Sequence, residues 1–186
     1  KRIIEYRIGT VHNSCDTDNM GRIGNIARRG KYIILNTSAS RVIVIHLRMT
    51  GKLIFEEDPA AGSSHCRAEI CFDDSSRLLF DDVRTFGTIQ IVEDDEPLPA
   101  LRRLGAEPLS GQFTAGYLKK YAGARRAPVK NLLLNQEIVA GLGNIYVLEI
   151  LHRCGVDPRK KSSLLSEQEI SDIVLSTKKV LKEAIM

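Results

Sequence analysis

The sequence predicts an α+β fold, β-structure first and helices second, on three observations. Short apolar runs separated by polar turn clusters recur up to about residue 92. The stretch 93–99 is acidic and carries two prolines, the composition of a boundary. Beyond it the apolar residues fall at helical spacing, most clearly after residue 166. The division this gives is a β-domain over 1–96 and a helical domain over 97–186.

The elements follow in order. Lys1-Arg2 leads into a short strand-like run. Residues 31–35 are apolar and rich in isoleucine, 36–40 supply turn residues, and 42–47 form a second apolar run, so the segment reads as a hairpin. Residues 68–72, 78–80 and 88–92 are further strands, with the Asp73-Asp74-Ser75-Ser76 turn between the first two. Short strands at this spacing build a sandwich or a barrel. In the second half Pro128 opens a helix that runs through Leu134. Another helix begins just after Gly143 and stops near Cys154-Gly155. Ser166 and Glu169 form a capping box for a last helix, with Ile170, Ile173, Val174, Thr177, Val180, Leu181, Ala184 and Ile185 along one face.

Composition narrows the function classes. With 43% hydrophobic and 27% charged residues among 186, the chain reads as a soluble globular protein. Its apolar runs are too short to span a bilayer, and no long apolar core follows Lys1-Arg2 as a signal peptide requires, so the expected location is the cytoplasm. Cys15, Cys66, Cys71 and Cys154 form no CxxC pair, and His65-Cys66 with Cys71 is not a full ligand set, so no metal is expected in these residues. Charge is unevenly spread. From residue 21 to 55 there are seven basic residues and no acid; from 56 to 99 there are twelve acids against three arginines. From 119 to 130, Lys119, Lys120, Arg125, Arg126 and Lys130 again stand without an acid. Such acid-free tracts suit either a polyanion or a solvated face, and their length tilts the reading toward nucleic acid.

Individual motifs are ambiguous. Gly141-Leu142-Gly143-Asn144 is a glycine turn before a helix, able to admit a phosphate to the backbone or merely to turn the chain with Asn144 as cap. Arg28-Arg29-Gly30-Lys31 precedes an apolar strand and could be a solvated end. Met49, in His46-Leu47-Arg48-Met49-Thr50-Gly51, is either core or an exposed wedge for a base stack. Arg84 and Phe86 lie in the polar loop Asp81-Asp82-Val83-Arg84-Thr85-Phe86-Gly87.

Taken in order, Arg29-Gly30-Lys31-Tyr32, His46-Leu47-Arg48-Met49-Thr50-Gly51, Asp82-Val83-Arg84-Thr85-Phe86-Gly87, Leu104-Gly105-Ala106-Glu107-Pro108-Leu109 and Ala140-Gly141-Leu142-Gly143-Asn144-Ile145-Tyr146 resemble the motif series of bacterial formamidopyrimidine-DNA glycosylases. The resemblance implies an antiparallel β-sandwich followed by a helix–two-turn–helix domain. It implies that Lys31, His46 and Asn144, with Gly143 beside it, hold phosphates around a damaged nucleotide. Met49, Arg84 and Phe86 then fill the gap left by an everted base, Arg84 facing the orphaned cytosine. Glu149 matches an acidic family position, and Asn135 stands where aspartate is frequent, so both are supporting candidates. The implied activity is a bifunctional DNA glycosylase and AP lyase for oxidised purines such as 8-oxoguanine and formamidopyrimidines. Its expected partner is double-stranded DNA with oxidised bases or abasic sites, bound by a monomer in the bacterial cytoplasm.

The sequence also departs from the family pattern. It starts at Lys1, without the proline–glutamate start that supplies the amine nucleophile and proton transfer, and without the first helix. It ends at Met186, before the family's zinc finger, so zinc is expected there and no cofactor in these residues. Residues 10–20 look short and lack basic residues, Thr85 replaces a common arginine, and Val83 replaces a proline. The sequence therefore admits a piece of a working enzyme, or a truncated paralogue that binds damaged DNA without cutting it. A third reading, an RNA-binding protein, is disfavoured because Met49, Arg84 and Phe86 have no use without a flipped duplex base.

Overall fold

The computed structural model describes residues 1–8, 20–58, 63–93, 98–123 and 126–186. They form two compact units, Lys1–Leu98 and Pro99–Met186. Cys15, Arg125, most of the 10–20 loop and the centre of the 93–99 boundary lie outside the described residues.

The first unit holds β1 (Ile3–Ile8), β2 (Ile23–Arg29), β3 (Tyr32–Thr37), β4 (Arg41–His46), β5 (Lys52–Glu56), β6 (Cys66–Phe72), β7 (Arg77–Asp81) and β8 (Thr88–Glu93). They make two four-stranded sheets, β1-β6-β7-β5 and β2-β3-β4-β8, with antiparallel pairing throughout. Ile3, Ala68, Ile70, Phe72 and Phe80 from one sheet share a buried cluster with Leu35, Ile43 and Ile45 from the other, which makes the unit a sandwich. On β6 the period-two pleat is plain, because Ala68, Ile70 and Phe72 are buried and the residues between them are not. On β4 the continuous apolar run is buried from Val42 to His46, as an interior strand requires.

The hairpin read over 31–47 is β3 and β4. Two strands were not anticipated, β2 and β5. Both are sheet edges, where little side chain is buried: Ile26 of β2 and Phe55 of β5 are exposed. An edge strand carries a weak apolar pattern, and β2 also contains Gly24, Asn25, Arg28 and Arg29. Arg28-Arg29-Gly30-Lys31 is therefore the end of one strand and the two-residue turn into the next, with Arg29 paired to Tyr32 and Gly30 at φ 57°.

The second unit contains α1 (Pro99–Arg102), α2 (Ala115–Gly123), α3 (Val129–Leu134), α4 (Asn144–Arg153), a 3₁₀ turn (Ser162–Leu164) and α5 (Glu167–Ile185). Phe113, Leu118, Leu132, Leu133, Val147, Ile150, Leu151, Ile170 and Ile173 are among its core residues. The capping box is formed in both directions: Ser166 Oγ accepts from the Glu169 N–H and Glu169 accepts from the Ser166 N–H. The buried face of α5 ends at Val180, earlier than the spacing suggested; Ala184 and Ile185 are exposed. α3 starts at Val129, one position later than predicted, with Pro128 as its extended N-cap. The unanticipated α2 buries only Leu118 and Ala122, too few positions to show a period. No described helix is long and apolar enough to cross a membrane.

Candidate functional site

In the first unit, strand order alone brings three loops to one end of the sandwich. The chain leaves β4 through 47–51 for β5, and leaves β7 through 82–87 for β8. Because β5 neighbours β7 in one sheet and β4 neighbours β8 in the other, the two crossovers run side by side. The Gly30-Lys31 turn joins them, since Tyr32 at the start of β3 pairs with His46 at the end of β4.

Met49 is 76% exposed and Phe86 61% exposed, so neither is core. The Arg84 Nη1 lies 3.9 Å from Met49 Sδ, which brings the two loop tips together. The backbone at both tips is left-handed without glycine, Arg48 at φ 53° and Thr85 at φ 59°, a conformation that needs support from its surroundings. The support is Asp82, 0% exposed. Its carboxylate accepts the Thr50 hydroxyl from one loop, and from its own loop the N–H of Gly87 at 2.7 Å and of Arg84 at 3.3 Å. These donors, the Thr50 hydroxyl first, hold the Asp82 carboxyl below the usual carboxylate range.

His46 is only 8% exposed. Its ring meets Tyr32 edge-on at 4.7 Å, and Nδ1 accepts the Arg48 N–H at 3.0 Å. Burial, then the charges of Arg48 and Lys31, push its pKa down, so at neutral pH the ring is uncharged. With Nδ1 used as an acceptor, the neutral ring carries its proton on Nε2 and offers one donor. Burial and then Arg48 also lower the Lys31 ammonium. Lys31, His46 and Arg48 thus lie within electrostatic reach of one another, an arrangement that an added anion stabilises.

In the second unit the Gly141 turn is held from three sides. Leu142 is 1% exposed and anchors it in the core, and Gly141 has φ 89°, a value only glycine adopts without strain. The Gln136 amide donates to the carbonyls of Leu134 at 2.8 Å and Leu142 at 2.9 Å, and accepts the Gly141 N–H at 2.9 Å. Tyr117 donates to the Ile138 carbonyl at 2.8 Å, and Gly105 passes so close that a Cβ would lie 2.3 Å from that oxygen. The Leu104-Gly105-Ala106 motif is thereby a brace for the turn.

Gly143, not Asn144, is the N-cap of α4, and it provides no side-chain cap. Gly143 itself is extended at φ −112°. The first intrahelical bond runs from Val147 to the Gly143 carbonyl, so the N–H groups at the helix start have no partner among the described residues. Asn144, freed from capping, is exposed beside them with no side-chain partner among the described residues. A helix N-terminus with an added amide is suited to an anion.

Two supporting candidates make structural contacts. Glu149 is paired with Arg153 at 2.8 Å, and Arg153 reaches Glu183 at 2.6 Å, which ties α4 to α5. Asn135 Oδ1 accepts the Glu137 N–H at 2.9 Å, shaping the chain as it leaves α3. In the second basic tract Lys119 pairs with Glu167, so part of that charge is neutralised locally. The sequence reading also passed over Asp82, Thr50, Gln136 and Tyr117, whose work is to hold other residues. Among the described residues no three His, Cys, Asp or Glu side chains gather as metal ligands, so they do not fit a zinc ion.

Comparison with known proteins gives a consistent result. Residues 13–89 match the formamidopyrimidine-DNA glycosylase N-terminal domain, and residues 104–186 match the formamidopyrimidine-DNA glycosylase H2TH domain. The formamidopyrimidine-DNA glycosylase of Paracoccus denitrificans is 39% identical over 172 residues, covering 88% of this chain and 61% of that protein. That of Wolbachia pipientis subsp. Culex pipiens is 38% identical over 163 residues, covering 88% and 60%. The chain thus spans about 60% of the length of these curated relatives. Among solved structures, the Lactococcus lactis enzyme bound non-covalently to DNA with an AP site has a TM-score of 0.89 at 30% identity, covering 99% of this chain and 74% of that one. The same enzyme with Fapy-dG-containing DNA has a TM-score of 0.87 at 29% identity, covering 99% and 72%.

Proposed function

Since this chain belongs to the formamidopyrimidine-DNA glycosylase family, we propose that it grips double-stranded DNA at an oxidised purine or abasic site and acts in base-excision repair as a DNA glycosylase and AP lyase. The observation that carries this reading is the joined pair of loop tips bearing Met49, Arg84 and Phe86, exposed apolar and cationic groups held on a rigid base. A base everted from a duplex leaves a gap. Filling it offsets part of the unstacking cost of about a few kcal/mol. Met49 and Phe86 are the wedges, and the Arg84 guanidinium supplies donors for the orphaned base, cytosine opposite an oxidised guanine.

The remaining residues hold the backbone. Lys31, Arg48 and the Nε2–H of His46 form the anion subsite of the first unit. The N–H groups that open α4 and the Asn144 amide form that of the second. Phosphates held at each subsite position the duplex while the wedges act, a division between positioning and reading common in DNA recognition. Base expulsion and strand cleavage call for an amine nucleophile. All six prolines are internal, so their nitrogens are amides with the lone pair in peptide resonance, and the nucleophilic step is not assigned to any of them.

Affinity of the Lys31→Ala and Asn144→Ala variants for a duplex with an abasic-site analogue tests this reading. Each is expected to weaken binding about tenfold, the loss of one charge-assisted phosphate contact. Lys31→Ala should also flatten the slope of log affinity against log salt by about one. Unchanged affinity in both variants would show that phosphates are held elsewhere.

A further inference from the structure

The Met49 loop and the Arg84–Phe86 loop come from different crossovers, and each has a non-glycine residue in left-handed backbone. Neither tip is packed into the core, so something must set their spacing. The carboxylate of Asp82 is fully buried and lies where both loops close over Phe80. A Cβ on Gly87 would fall 2.4 Å from the Phe80 ring and 3.1 Å from Asp82 Oδ2, and one on Gly51 would fall 3.0 Å from that ring. One side of Asp82 gathers its own loop through the Gly87 and Arg84 N–H groups, and its carbonyl accepts Arg67 Nε at 2.9 Å. The Asp82 N–H donates to the carbonyl of His65, just before β6, at 3.0 Å, so the residue is fixed to that neighbouring segment as well. Asp82 Oδ1, which takes the Arg84 N–H, also accepts the hydroxyl of Thr50, the residue after Met49. Thr50 is thus a side-chain link between the two tips.

We infer that Asp82 and Thr50 are positioning residues that clasp the two loops, so that Met49, Arg84 and Phe86 enter the DNA gap as one preset unit. This inference rests on the function proposed above. Its physical basis is that a wedge acts well only if its geometry is set before the base leaves. A carboxylate bound to a hydroxyl and several amides is rigid enough to set it. Without the link, the Met49 tip must be ordered again at each binding event, and that cost appears as lost preference for gapped DNA.

The test cuts the link without disturbing the rest of Asp82. Thr50→Val removes the hydroxyl and keeps the shape, while Thr50→Ser keeps the hydroxyl; Asp82→Ala, which strands the Arg84 and Gly87 N–H groups, is avoided because it could unfold the unit. Two readouts are needed. The first is the ratio of affinities for a duplex with an abasic-site analogue and for the same duplex intact. The second needs no DNA. The chain has no tryptophan, so Phe86→Trp gives a lone reporter at the tip, read by acrylamide quenching.

Thr50→Val is expected to cut the affinity ratio about tenfold, the effect of one hydrogen bond to a charged group, with Thr50→Ser within about twofold of wild type. In the Phe86→Trp background, Thr50→Val should make the indole more accessible to quencher and Thr50→Ser should not. A Thr50→Val variant with the wild-type ratio overturns the inference and leaves the proposed function standing. A wild-type chain with no preference for the abasic duplex overturns the proposed function. In that case quenching unchanged by Thr50→Val overturns the clasp as well.

Discussion

Replacing the half-buried Gln136 with alanine should loosen the Gly141 turn. The side chain makes three bonds, to the Leu134 and Leu142 carbonyls and from the Gly141 N–H, all between 2.8 and 2.9 Å. Each is worth about 0.5–1.5 kcal/mol net, so the variant should lose about 2–4 kcal/mol of stability in the second unit. With a urea dependence of about 1.5 kcal/mol/M for a unit of this size, the midpoint falls by about 1.3–2.7 M. The local signature is sharper. The Gly141 amide loses its acceptor, and its hydrogen exchange should accelerate about a hundredfold relative to wild type. Gln136→Glu keeps an acceptor for Gly141 but sets a carboxylate against two carbonyls, and should fall at least as far. If Gln136→Ala kept the wild-type midpoint and Gly141 exchange, the turn would be held by Leu142 and the Gly105 brace alone, and this account of Asn144 positioning would be wrong.

Other predictions concern the first unit. Because the His46 pKa is pushed down in the fold, the folded state resists a proton that the unfolded chain takes up near pH 6.5. The stability from neutral His46 is complete above that pH and is lost as pH falls from there through the folded value. Arg48→Ala, which removes the second cause of the depression, should move the His46 titration upward, as ring proton shifts in NMR would show; a shift downward or none would contradict the electrostatic assignment. Arg84→Ala should reduce the preference for cytosine over adenine opposite an abasic site about tenfold, measured by competition binding. Equal preference in wild type and variant would remove Arg84 from base reading.

Much of this was legible in the sequence where burial is regular. The β4 run 42–46, the alternation on β6 and the Ser166–Glu169 capping box all took the form their patterns imply. The edge strands β2 and β5 and the short helix α2 did not show, because they bury too few side chains to leave a period. Among site residues, Met49 is exposed and so not part of the core, a point its sequence context left open. Asn144 proved to be the first helical residue and not the cap, a one-position difference that frees its side chain. Asp82, Thr50 and Gln136 were hidden for a different reason. Their partners are backbone groups and, for Asp82 and Thr50, each other, brought close only by strand pairing and turns, and no spacing rule in the chain encodes that proximity.

The most direct test is the affinity of the chain for two duplexes of one sequence, one intact and one with an abasic-site analogue opposite cytosine, across a salt series. Phosphate contacts act on both duplexes, so both affinities should fall as salt rises. Gap filling by Met49, Arg84 and Phe86 acts on one, so the abasic duplex should bind at least about tenfold more tightly at every salt concentration, the specificity expected of about 1.4 kcal/mol or more of lesion-dependent contact. Equal affinities throughout the series would contradict the account.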